Sequence, residues 1–113
     1  MNGSVDSPIG FADSVLEGYR RDARVLVVQI RSWNDKQLIV TFHDVAALRD
    51  RLAGDFSDLV AGPNGRSDLL EEALAHAYET APPSHPYRVF SFLNHDAQPS
   101  LEIVAARCDV RVE

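Results

Sequence analysis

With 113 residues, 45% of them apolar, the chain has enough material for one domain with a buried core, and global disorder is excluded. Seventeen acidic residues against eleven basic ones give a net charge of −6, so the cationic excess that drives nucleic-acid binding is missing. No apolar run approaches the roughly 20 residues of a bilayer span and no basic, apolar leader is present, while the single cysteine, Cys108, forbids an internal disulfide; the expectation is a cytoplasmic protein that contacts neither membrane nor nucleic acid.

Residues 1–10, rich in Gly, Ser, Asp and Pro, read as a flexible N-terminal tail ahead of a single domain over 11–113. Ser14 to Arg20 reads as a first strand. The competing reading is a helix with Val15, Leu16 and Tyr19 on one side, against which Gly18 counts about 1 kcal/mol relative to Ala. Arg24 to Trp33 forms a second strand with two partly apolar faces, Leu26, Val28 and Ile30 on one and Val25, Val27, Gln29, Arg31 and Trp33 on the other, which suits a central position. Asn34-Asp35 is turn chemistry, and Gln37 to His43 returns as a third strand with Leu38, Val40 and Phe42 inward and Gln37 and Thr41 outward.

From Asp44 the period changes. Asp44 has the side chain of an N-cap, Val45, Leu48 and Leu52 share a helical face, and Gly54 can terminate it, so a short helix is expected over Asp44 to Leu52. Asp55 to Arg66, with Gly62, Pro63, Asn64 and Gly65, reads as a loop that packs Phe56, Leu59 and Val60 in one turn of helix. A second helix is expected over Asp68 to Thr80, capped by Ser67 or Asp68, lined by Leu70, Ala73, Leu74, Ala77 and Tyr78, and stopped by Pro82-Pro83. Tyr87 to Leu93 and Leu101 to Ala106 form a second hairpin, which Cys108, Val110 and Val112 can extend. The order β-β-β-α-α-β-β implies an α+β fold: a mainly antiparallel sheet of about five strands with helices packed on one face.

The sequence carries no phosphate loop, dinucleotide fingerprint, zinc-protease motif or nucleophile elbow. His43-Asp44 and His95-Asp96 are His-Asp pairs at strand ends, and His85 lies in a nearby proline-rich connection; converging, they would form a polar site. The plainer account gives Asp44 and Asp96 to caps and turns, with no metal and no cofactor. Residues 44–80 hold eight Asp or Glu against three Arg, nearly all of the net negative charge. Ten arginines to one lysine, with thirteen alanines, point to a GC-rich and bacterial source. Trp33 with Arg31 beside it on the same face has the composition of an interface anchor, with Asp55 and Asp58 as charged neighbours. The expectation is a non-enzymatic protein-interaction module, immunity- or adaptor-like by analogy of class alone, whose partner is another protein or a second copy. The alternative is a small-molecule binder or small enzyme with a pocket between sheet and helices, using His43, His85, His95 and their Asp neighbours.

Overall fold

The computed structural model describes residues 3–5, 7, 10–51, 53–62, 68–80 and 85–113. Its elements in chain order are β1 (Gly3–Ser4), β2 (Ser14–Asp22), β3 (Val25–Arg31), β4 (Gln37–His43), β5 (Ala47–Asp50), β6 (Asp55–Phe56), β7 (Asp58–Gly62), α1 (Asp68–Ala77), β8 (Arg88–Leu93), β9 (Pro99–Ala105) and β10 (Arg107–Val112). All pairings are antiparallel. One sheet, here sheet 1, runs β10-β4-β3-β2-β6, and sheet 2 runs β1-β7-β8-β9-β5.

The expected α+β architecture is therefore wrong: strands make up 55% of the structure and helix 10%, in two antiparallel sheets, one of them a half-barrel. The error lies in residues 44–62. Asp44 sits at φ 55°, in the left-handed region, whereas an N-cap takes extended backbone. Beyond it, the Val45 N–H donates to Arg24 O at 2.8 Å and the Ala46 N–H to Val104 O at 2.8 Å, so this segment crosses from one sheet to the other. Residues Ala47 to Asp50 then pair with Val104 to Leu101 as an edge strand, with Leu52 outside the described residues. The next segment, expected to be a loop, supplies β6 and β7, whose Phe56 and Leu59 are completely buried. The tip residues Pro63, Asn64, Gly65 and Arg66 lie outside the described residues, as do Ser67, Pro82 and Pro83. Within the segment expected as a tail, Gly3 and Ser4 pair with Ala61 and Val60.

The strand reading of Ser14 to Arg20 holds over the helical one and extends to Asp22; a bulge between Leu16 and Gly18 absorbs Glu17. β3 is the middle strand of its sheet, as its two partly apolar faces imply. Leu38, Val40 and Phe42 are fully buried while Gln37 and Thr41 are only partly covered. The last hairpin continues differently from expectation. At Ala106 the chain leaves sheet 2, and β10 pairs with β4 in sheet 1.

The main core lies between the sheets. Leu26, Val28, Ile30, Leu38, Val40 and Phe42 from sheet 1 meet Leu59, Phe90, Phe92, Leu101 and Ile103 from sheet 2. Phe42 packs edge-on to Phe90 at 5.3 Å, and Phe92 packs edge-on to Phe56 at 5.0 Å, so aromatic contacts tie the layers together. The helix covers the outer face of sheet 2 through a smaller cluster of Leu69, Ala73, Tyr87 and Val104. Its inner residues are Leu69 and Ala73, with Leu70, Leu74 and Tyr78 partly buried, and Ala77 is exposed rather than packed. The outer face of sheet 1 has no helix over it among the described residues.

Candidate interaction surface

The outer face of sheet 1 meets solvent around the β3–β4 hairpin. Asp35 N–H donates to Ser32 O at 3.0 Å and Ser32 N–H to Lys36 O at 2.8 Å, and Asp35 takes φ 64°. This is a three-residue loop with its last residue left-handed, which is why an Asn-Asp pair closes it without glycine. Ser32 is buried and braces the loop from beneath, its hydroxyl oxygen accepting from the Lys36 N–H at 3.1 Å and its hydroxyl bonding Asn34 Oδ1. Trp33 is consequently held outward on a tight turn, with 64% of its surface exposed. It is the only tryptophan in the chain.

Next to this loop, the side chains of Arg31, Glu17 and Gln37 hold one another, and Arg31 ties them to the loop through Asp35. Arg31 reaches Glu17 Oε2 from Nη2 at 3.0 Å and Asp35 Oδ1 from Nη1 at 2.6 Å, while Gln37 Nε2 donates to Glu17 Oε1 at 3.1 Å. The hydrogen bonds to Asp35 and then Glu17 push the Arg31 pKa further up, so its charge is permanent. Glu17 lies on the same face as Val15, the cross-strand partner of Arg31, which puts its carboxylate within reach of the guanidinium. Beside the cluster lies an open depression of about 420 Å³ lined by Glu17, Gln29, Gln37, Ile39 and Glu113. Asp55 belongs to the same face, because it pairs with Val15, which pairs with Arg31. Asp58 does not: it starts β7 in sheet 2, and its Oδ1 accepts from the Leu59 N–H at 2.8 Å.

The residues of the alternative polar site are scattered. His43 lies at the end of β4, its Nε2 2.7 Å from Asp109 Oδ2. Asp44 beyond it is an exposed turn residue. His95 and Asp96 occupy the β8–β9 tip, where Asn94 Oδ1 accepts from the Asp96 and Gln98 N–H groups, each at 3.0 Å, in the self-contained manner of an Asx turn. The Ala106 N–H donates to His43 O, whereas His95 precedes the start of β9, so the length of that strand, roughly 20 Å, separates the two histidines. His85 sits apart, 6.2 Å from the Tyr87 ring at the helix side of sheet 2, its buried Nδ1 without a partner among the described residues. Among the described residues no three His, Cys, Asp or Glu side chains are grouped to hold a metal ion.

Cys108 points inward from β10. Burial, with a contribution from Asp109, pushes its thiol up to about 11, against which Arg88 acts weakly, so it stays protonated and is a poor nucleophile at neutral pH. A second cavity of about 110 Å³, between the β2–β3 turn and residues 45–48, is smaller than the roughly 300 Å³ at which small-molecule sites begin.

Sequence reasoning missed the polar ties between distant segments. Tyr19 Oη donates to Asp50 Oδ2 at 2.8 Å across the two sheets, and Arg24 Nη2 donates to Tyr87 Oη at 2.9 Å. Arg49 holds the buried Glu102 through Nε and Nη2, at 3.1 and 2.7 Å, on the helix-covered face. No local pattern announces these pairs, because their partners come from separate strands. No helix among the described residues is long and apolar enough to cross a membrane. No family model matches this chain, and no curated protein and no solved structure is detectably similar to it.

Proposed function

We propose that this chain is a non-catalytic protein-interaction module that engages its partner through the outer face of β2, β3 and β4, with Trp33 as the anchor. The observation that carries the reading is a large aromatic side chain, 64% exposed, on a braced turn that Asp35 ties to the Arg31–Glu17–Gln37 network. A rigid aromatic loses little conformational freedom on burial, and Trp and Arg dominate binding hot spots. The acidic balance of the chain, and Asp55 on the same face, favour a partner with a basic patch and disfavour nucleic acid. Charge then accelerates encounter, while apolar burial at Trp33 supplies most of the affinity.

A pulldown from the source organism with the wild-type chain and with Trp33→Ala tests this reading. Titration of the recovered protein over a salt series should show weaker association as salt rises and with charge reversal at Asp55. Salt-independent binding that ignores Trp33→Ala, or tight binding to DNA or RNA, contradicts it. The alternative of a small-molecule binder or enzyme has less support, since His43, His85 and His95 stand apart and the more enclosed cavity is too small.

A further inference from the structure

We infer that β10 is a self-pairing edge at which two copies of this chain join their sheets 1 into one continuous antiparallel sheet. β10 ends sheet 1, with β4 on one side and no strand on the other among the described residues. Glu113 N–H donates to Gln37 O at 2.9 Å, in register with the ladder from Val112↔Leu38 back to Arg107↔His43. In an antiparallel ladder, the residues that turn their N–H and C=O toward the neighbour alternate with those that turn away. The backbone groups of Cys108, Val110 and Val112 therefore point outward from the sheet. None of them has a partner among the described residues.

The other edges are poor templates. β1 and β6 span two residues each, β5 spans four, and the uncovered stretch of β2 is distorted by its bulge. β10 runs for six residues with no irregularity in its pairing to β4.

Charge selects both the partner and the register. The outer face of this edge reads Arg107, Asp109, Arg111, Glu113, alternating in sign. A second copy pairing about a two-fold axis at Val110 sets Arg107 opposite Glu113 and Asp109 opposite Arg111, so every outer pair joins opposite charges. The same register brings the outward backbone groups of Cys108, Val110 and Val112 face to face for hydrogen bonding. On the inner face, Val110 meets Val110 of the second copy and Cys108 meets its Val112, extending the apolar layer to which Cys108 and Val110 already belong. A register centred one residue away, on Asp109 or Arg111, opposes like charges throughout. Charged side chains on an edge ordinarily repel other strands; here their alternation repels the two adjacent registers, and the register centred on Val110 joins the largest number of opposite charges.

This inference does not depend on the Trp33 surface. It is tested by sedimentation equilibrium of the full chain across micromolar to millimolar concentrations, with circular dichroism to confirm folding of each variant. The wild type should approach twice its monomer mass of 12.5 kDa. Arg111→Asp, which creates like-charge pairs with Asp109, should weaken dimerisation about tenfold or more, and adding Asp109→Arg should restore it by reversing both members. Val110→Pro removes an outward N–H that β4 does not use and should leave a folded monomer. Trp33→Ala should remain dimeric, which keeps failure of this inference separate from failure of the partner surface. A wild type that stays monomeric overturns the inference, as does a dimer insensitive to both Arg111→Asp and Val110→Pro, or a folded double-charge variant that fails to re-associate.

Discussion

Phe92→Ala is the most informative perturbation of the fold. Phe92 is fully buried, stands 5.0 Å from Phe56 at an interplanar angle of 85° and 6.2 Å from Phe42, and so bridges β8 of one sheet to β6 and β4 of the other. Truncating such a ring removes its transfer free energy, leaves a cavity and deletes two edge-to-face contacts, which together cost about 3–5 kcal/mol. Against a total stability on the order of 5–15 kcal/mol this is a large loss, equivalent to a fall in Tm of roughly 10–20 °C. Leu74→Ala is the control, because Leu74 is only half-buried in the smaller cluster under α1 and should cost about 1 kcal/mol. Urea unfolding followed by far-ultraviolet circular dichroism measures both; fluorescence is a poor probe, since the only tryptophan is exposed before unfolding. A Leu74→Ala loss equal to that of Phe92→Ala would mean that helix-on-sheet packing carries the stability, and would refute a core between two sheets.

Other outcomes follow from single sites. Arg49→Met strands the Glu102 carboxylate, whose side chain is 11% exposed, and should cost about 2 kcal/mol, most of it recovered in Arg49→Met with Glu102→Met. The Cys108 thiol is harder to ionise folded than unfolded, so it favours the folded state at neutral pH, and stability should fall as pH rises from about 9 to about 11. Replacing it with Ala should flatten that fall, which unfolding curves at pH 8 and pH 11 will show. Equimolar zinc should leave Tm unchanged in the wild type and in His43→Ala and His95→Ala alike; a saturable, His-dependent rise would revive a metal site.

Legibility in the sequence followed the range of the forces involved. The β3–β4 hairpin was readable because alternation at Leu38, Val40 and Phe42 and a local Asn-Asp turn point to the same structure. The helix was readable except for its face: Leu69 rather than Ala77 goes inward, since the side that packs is decided by Tyr87 and Val104 from distant strands. Residues 44–52 misled because Val45, Leu48 and Leu52 recur at helical spacing, although Ala47 to Asp50 form an edge strand. What decides the case is pairing with Leu101 to Val104, half the chain away. For the candidate site, Trp33 and Arg31 were recognisable by type, but the shared strand face expected for them is not formed, because β3 ends at Arg31 and Trp33 belongs to the turn. The contribution of Glu17 depends on the register of β2 against β3, and the separation of Asp58 from Asp55 depends on which sheet each strand joins; neither is visible in local sequence.

The partner surface is tested most directly by the affinity of the partner recovered from the source organism for the wild type and for Trp33→Ala, measured by calorimetry at one fixed salt concentration. Truncation of a hot-spot residue costs about 2 kcal/mol or more, so a loss of about 30-fold is expected, with unchanged unfolding midpoints because Trp33 packs little in the free protein. An affinity for Trp33→Ala within about twofold of wild type would contradict the assignment of this face as the binding surface.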